Sequence, residues 1–135
     1  MLKIVCDTNT LISGFLFDGL ERRLLIKIAE REIICFISEE ILVEFAAVIS
    51  REKFGLTNQQ QAIILSALTE ITELVKPAEK IWAVQRDPDD NKVIECAVEA
   101  NAQGIVSGDR DLLDLKEIRN IPILSTRQFL TKIQT

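Results

Sequence analysis

Residues 2–10 read LKIVCDTNT, a short apolar run that leads directly into an aspartate. The length of the run and its β-branched residues are typical of a buried β-strand, and Asp7 follows at its C-terminal end. Residues 104–111 repeat this order, since GIVSG leads to Asp109 and then to Asp111. Two predicted strands therefore end in aspartates, each of which can also cap the helix that follows it.

The rest of the chain continues this alternation of strands and helices. We predict five strands, at residues 2–6, 32–37, 74–77, 104–107 and 121–124. Such alternation favours an α/β fold with a parallel sheet covered by helices on both faces, and ligands bind at the C-terminal edge of such sheets. The length of 135 residues is that of one ordinary domain, so we expect a single domain over 1–135.

Polar residues mark where the predicted helices begin and end. Ser38 and Thr57 have the character of helix N-caps. In DPDDNKVIECAVEANA (87–102), Asp87 is expected to cap a helix and Gly104 to end it.

Composition excludes several kinds of chemistry. The chain has no histidine, which excludes catalysis by histidine and zinc sites with histidine ligands, so any metal would have oxygen ligands, as Mg²⁺ and Mn²⁺ prefer. Cys6, Cys35 and Cys96 show no CxxC spacing and are expected to be buried free thiols. The net charge of −5 does not favour nucleic-acid binding by itself, but it fits carboxylates that a metal neutralises. Without a signal-peptide pattern or an apolar run of about 20 residues, we expect a cytoplasmic protein that does not enter membranes.

Two further acids are predicted to approach the same sheet edge from helices. Asp90 shares a helical stripe with Val93, although it could simply serve the first turn of its helix. Glu44 is the lone charge in ILVEFAAVI, where it could mark an exposed edge, and Glu40 one turn earlier could take its place. Four carboxylates at one edge repel one another unless a cation binds, and one or two divalent ions there could activate water.

Four segments together resemble the motifs of a PIN domain, over essentially the whole chain. These segments are, in order, IVCDTNTLISG, ISEEILVEF, DPDDNKVIECA and GIVSGDRDLLDL. DPDD and SGDRDLL are most similar to the branch of toxin components of toxin–antitoxin systems, related to the VapC ribonucleases.

The resemblance implies a three-layer α/β/α sandwich around a mostly parallel, five-stranded sheet. It also implies Mg²⁺- or Mn²⁺-dependent cleavage of RNA, a small antitoxin partner and a homodimer. The implied catalytic and metal-binding acids are Asp7, Glu44, Asp90 and Asp109, with Asp111 as an auxiliary or alternative ligand. The implied residues that orient the site or contact the substrate are Asn9, Ser107 and Arg110.

Other readings of these features stay open. The chain could be a catalytically inactive PIN-like scaffold that binds RNA or a protein. Arg22, Arg23 and Lys27 could contact RNA phosphates or form a solvated helix face. The helix that Thr57 opens could supply a dimer interface or pack on its own core. Glu95 departs from the usual apolar stripe of the third motif and is expected to face solvent.

Overall fold

The computed structural model of the chain describes residues 1–84 and 88–134. Its strands are β1 (Leu2–Cys6), β2 (Ile33–Ser38), β3 (Thr72–Val75), β4 (Gly104–Val106), β5 (Glu117–Ile118) and β6 (Ile121–Leu124). Within the described residues they form one six-stranded sheet in the order β3-β2-β1-β4-β6-β5. All neighbouring strands are parallel except β5 and β6, which are antiparallel. The predicted α/β class with a mostly parallel sheet is confirmed.

Helices flank the sheet on both faces. They are α1 (Thr8–Leu16), α2 (Leu20–Ala29), α3 (Glu39–Ile49), α4 (Asn58–Ile71), α5 (Asn91–Glu99), α6 (Arg110–Leu113) and α7 (Thr126–Ile133). The chain steps from β1 to β3 in one direction and then returns past β1 to β4. Right-handed crossovers therefore put α5, which packs on β1, β2 and β4, on the face opposite α1 to α4. None of these helices is long and apolar enough to span a bilayer, as far as the described residues go.

The prediction of five strands was wrong by one, because β5 escaped detection. This strand has only two residues and joins β6 through Arg119 and Asn120, whose φ angles are 48° and 68°. Two consecutive positive φ angles are the mark of a type I′ hairpin turn, which usually reveals itself by Asn-Gly or Asp-Gly. Here neither turn residue is glycine, so the sequence carries no clear hairpin signal.

The helix predicted over 87–102 is shorter at both ends. A 3₁₀ turn at Pro88–Asp90 precedes α5, and the expected cap Asp87 lies outside the described residues. The side chain of Asn91 accepts a hydrogen bond from the N–H of Val84 at 2.7 Å and donates one to its carbonyl at 3.1 Å. These two buried bonds anchor the first residue of α5 to the preceding segment.

Asn101, and not Gly104, ends this helix. Asn101 has a left-handed φ of 52°, and the N–H of Ala102 bonds back to the carbonyl of Ala97 at 2.9 Å. Asparagine tolerates this conformation after a helix because its side chain is short and polar. Gly104 instead opens β4, where it pairs with Ile4 of β1.

The predicted caps Ser38 and Thr57 and the predicted buried thiols are confirmed. The Ser38 side chain accepts a bond from the N–H of Ile41, and Thr57 forms a capping box with Gln60. Cys6, Cys35 and Cys96 are buried free thiols. A hydrogen bond with Cys35 and burial raise the pKa of Cys6, and burial raises the pKa of Cys96 to about 12. Cys6 and Cys96 are therefore protonated and poorly nucleophilic at neutral pH.

The prediction that Glu95 faces solvent was wrong. The Glu95 side chain is buried, and its carboxylate accepts a hydrogen bond from the backbone N–H of Ile81 at 2.9 Å. Ile81 and Val84 belong to the segment before α5 and are themselves buried. Glu95 thus fastens that segment to the helix, which explains why a charged residue occupies a stripe that otherwise carries apolar ones.

We predict that Glu95→Ala lowers the free energy of unfolding by about 1–3 kcal/mol, because it leaves the buried N–H of Ile81 without an acceptor. Glu99→Ala is the matched control, since Glu99 accepts the N–H of Ala78 at 3.0 Å on the exposed side of the same helix. Its effect should stay within about 0.5 kcal/mol. Urea denaturation measures both, and equal losses would contradict a special role for Glu95.

Candidate metal centre at the sheet edge

Asp7 lies at the C-terminal end of β1 and is buried. One carboxylate oxygen caps α1 by accepting the N–H of Thr10 at 2.8 Å, and the other accepts the hydroxyl of Ser107. Burial raises the pKa of Asp7, and the negative charge of Asp109 acts in the same direction, while the two hydrogen bonds oppose them. A nearby cation would therefore stabilise the charged form of the Asp7 carboxylate.

Ser107 links the ends of the two central strands. It is fully buried one residue beyond β4, where its hydroxyl donates to Asp7 and accepts the N–H of Asp109 at 2.9 Å. The carboxylate of Asp109 in turn caps α6 by accepting the N–H groups of Asp111 and Leu112 at 2.8 and 3.3 Å. Ser107 is therefore shielded from solvent and in contact with both acids.

Three acids approach one another closely enough to share a cation. Asp90, Asp109 and Asp111 each place one carboxylate oxygen within 4.8 Å of the other two. Asp90 occupies the N-cap position of α5, yet within the described residues its side chain makes no capping hydrogen bond there. One oxygen of Asp90 is completely shielded from solvent. These oxygen donors suit a hard divalent cation such as Mg²⁺, Mn²⁺ or Ca²⁺.

Glu44 approaches the same place from the middle of α3. One of its oxygens accepts the hydroxyl of Thr8, and the other lies 2.9 Å from the ammonium of Lys92. Its side chain is about one third exposed, at 34%. Glu44 lines a polar cavity with Asp7, Asp90 and Asp109, whereas Glu40 is exposed and is not among the described residues that line it. The geometry therefore brings Glu44 and not Glu40 to the acids.

Two cavities meet at these acids. The smaller one, of about 170 Å³, is lined by Asp7, Thr8, Asn9, Glu44, Val48, Arg51, Asp89, Asp90, Val93 and Asp109. The larger one, of about 540 Å³, is lined by Asp7, Asn9, Thr10, Ser13, Leu20, Glu21, Gly108, Asp109, Ser125, Thr126 and Arg127. Asp7, Asn9 and Asp109 belong to both. The predicted site residue Asn9 is exposed at the junction of the two cavities.

The basic residues singled out from the sequence are not among the described residues that line the two cavities. Arg110 is exposed on α6 and is not among the described residues lining either cavity. Arg22 donates to the carbonyls of Gly14 and Phe15, at 3.2 and 2.8 Å, and so fastens α2 to α1. Lys27 lies 3.8 Å from Glu32. Arg22 therefore has a structural role.

Sequence reasoning missed the residues that surround the acids from other elements. Thr8 and Lys92 hold Glu44, Arg51 lines the smaller cavity, and Arg127 lines the larger one. A lysine in the first turn of a helix usually reads as solvated, so Lys92 carried no signal by itself. Only the packing of α3 near α5 brings it to Glu44.

Comparison with solved structures shows the fold. The chain superposes on a protein of the VapBC2 complex from Rickettsia felis, crystallised with a DNA fragment from its promoter, with a TM-score of 0.65 and 17% identity over 90% of this chain and 97% of that one. It also superposes on PAE2754 from Pyrobaculum aerophilum, with a TM-score of 0.66 and 15% identity over 98% and 90% of the two chains.

Sequence comparison identifies the family. An uncharacterized protein of Methanocaldococcus jannaschii, MJ1680, is 33% identical over 120 residues, which cover 86% of this chain and 76% of that protein. The family model described as PIN domain matches residues 3–111, which span the strands and helices that carry all five candidate acids. The chain therefore belongs to the PIN domain family.

Proposed function

We propose that this protein is a divalent-metal-dependent ribonuclease that hydrolyses RNA phosphodiester bonds. Membership of the PIN family and a clustered acidic group support a nuclease in general terms. The observation that carries the proposal further is the meeting of Asp7, Glu44, Asp90 and Asp109 around one cavity where the strand order reverses. In open α/β sheets this edge is where ligands bind.

The site would consist of acids that hold the cation and hydroxyl groups that orient those acids. Asp90, Asp109 and Asp111 are mutually close, and Asp7 and Glu44 line the same place, so these five would hold Mg²⁺ or Mn²⁺. A divalent ion bound there supplies Lewis-acid stabilisation of charge on the phosphate and a nucleophile from water. The hydroxyls of Ser107 and Thr8 keep Asp7 and Glu44 in place.

The larger cavity is the proposed binding site of the RNA strand. It opens directly from Asp7 and Asp109 and carries Asn9, Ser125 and Arg127. Arg127 supplies a cation for a phosphate, and the polar groups of the other two can bond to phosphate or sugar oxygens. We assign substrate contact to Asn9 and Arg127, and a positioning role to Ser107 because it is buried.

We further propose that the protein is the toxin of a type II toxin–antitoxin pair. A structural neighbour from Rickettsia felis is part of a VapBC2 complex, which supports a small antitoxin partner here.

A homodimer is proposed through α4, where Leu68 is the one fully buried residue of the helix and Ile63 is 61% exposed. Ile64, Leu65 and Ile71 of the same helix are only partly buried, and a second copy of the chain could cover them together with Ile63.

We predict that Asp7→Asn lowers RNA cleavage by at least about 100-fold, which corresponds to about 2.7 kcal/mol of transition-state stabilisation. The metal-free fold should persist, since asparagine caps helices as well as aspartate does and can still accept the N–H of Thr10. Cleavage of a fluorescent single-stranded RNA panel with Mn²⁺ or Mg²⁺ measures the first effect, and thermal unfolding measures the second.

The matched control is Asp18→Asn, which removes the same charge from an exposed position. It should cleave like the unaltered protein. Cleavage by Asp7→Asn at the same rate, in activity that co-elutes with the protein, would overturn the assignment. A folded, metal-binding protein that cleaves no RNA in the panel would favour the alternative of a PIN-like scaffold that binds RNA or a protein.

We also predict that Mn²⁺ or Mg²⁺ raises the melting temperature, because a ligand bound only by the folded state stabilises it, by about 2.7 kcal/mol at 100 times its Kd. Asp109→Asn should lose most of this gain while still capping α6. Asp114→Asn, an exposed acid at the other end of α6, is the control and should keep it. A gain that survives in Asp109→Asn would place the ion elsewhere.

A further inference from the structure

Lys92 reaches from the first turn of α5 to Glu44 on α3, 48 residues away along the chain. The ammonium lies 2.9 Å from the carboxylate, within ion-pair and hydrogen-bond distance. The side chains are 18% and 34% exposed, so water screens this pair less than it screens a pair on the open surface. The ion pair therefore joins two helices inside the acidic site.

Lys92 binds the carboxylate of Glu44, which reaches the acidic cavity from α3. Glu44 lines the smaller cavity with Asp7, Asp90 and Asp109, and those three carry charges of the same sign. The Thr8 hydroxyl bonds to one oxygen of Glu44 and Lys92 to the other. Both oxygens are thus engaged before any divalent ion arrives.

Glu44 also stands apart from the closest acids. The mutually close trio is Asp90, Asp109 and Asp111, and Glu44 is not part of it. The ammonium of Lys92 attracts the carboxylate oxygen that a divalent ion would otherwise draw inward. A divalent ion near Glu44 would in turn be repelled by the ammonium.

We propose that Lys92 is the internal counter-ion of the site: it competes with the divalent ion for Glu44 and so sets the ion concentration at which the site fills. This inference rests on the proposed metal-dependent function but concerns the affinity for the ion. Lys92 acts through Glu44 and is a positioning residue. Filling of the site requires the ion to displace the ammonium from Glu44, and removal of the ammonium should make filling easier.

The test is the Kd for Mn²⁺ of the RNA-free protein, measured by titration calorimetry with MnCl₂ alone. Lys92→Met should bind Mn²⁺ at least about fivefold more tightly than the unaltered protein, because the competing charge is gone. Lys92→Arg, which keeps the charge, should bind more weakly than Lys92→Met. Lys27→Met is the matched control, since it breaks the pair between Lys27 of α2 and Glu32 beyond the end of that helix, where the N–O distance is 3.8 Å, and should leave the Kd unchanged.

A double-mutant cycle separates competition for Glu44 from a general loss of positive charge. In a Glu44→Gln background the lysine has no carboxylate to share, so Lys92→Met should change the Kd by less than about twofold. If the fivefold gain persists in that background, the proposal is overturned and the effect is long-range electrostatics. Lys92→Gln serves the same cycle if the methionine variant does not fold.

Each remaining outcome either supports or overturns the counter-ion role of Lys92. An unchanged or weaker Kd in Lys92→Met overturns the inference, because Lys92 would then assist the ion or have no effect on it. If that protein still cleaves RNA with Mn²⁺, the proposed function stands without it. Tighter Mn²⁺ binding with no RNA cleavage by either protein supports the counter-ion role and overturns the ribonuclease.

Discussion

The parallel pairing of β1 with β4 is the constraint that brings the acids at the C-terminal edge of the sheet together. Strand order reverses at this pair, so the crossover helices leave on opposite faces and a crevice opens at the carboxyl ends. Pairing continues beyond β1, since the N–H of Asp7 bonds to the carbonyl of Val106 at 3.1 Å. The backbone is thereby held up to the aspartate itself, and the hydroxyl of Ser107 bridges the carboxylate of Asp7 and the N–H of Asp109.

A carboxylate has two oxygens, and this site uses both. Asp7 and Asp109 cap the helices that follow them, which from the sequence looked like an alternative to a role in the site. The second oxygen of Asp7 bonds to Ser107, and Asp109 still lies within reach of Asp90 and Asp111. Capping and clustering are therefore compatible, because a cap fixes the direction in which the rest of the carboxylate points.

Most features that depend on residues close together in the sequence were predicted correctly, and a feature that depends on a distant residue was not. The strands β1, β2, β4 and β6 were predictable from their apolar, β-branched runs, and the caps Ser38 and Thr57 from local capping chemistry. The strand β5 was not predictable, because its two residues depend on a hairpin turn without glycine. Glu95 was misplaced because its partner, the N–H of Ile81, lies 14 residues earlier in a segment without regular structure.

The sequence by itself determined the alternation of strands and helices, the ends of the strands that carry Asp7 and Asp109, and the exclusion of histidine chemistry. These follow from composition and from contacts within a few residues, whose spacing the chain displays directly. Tertiary structure decided that Glu44 and not Glu40 joins the acids, and that Lys92 holds it. The contact between α3 and α5 sets both, and it depends on how each helix packs against the sheet, which no local pattern encodes.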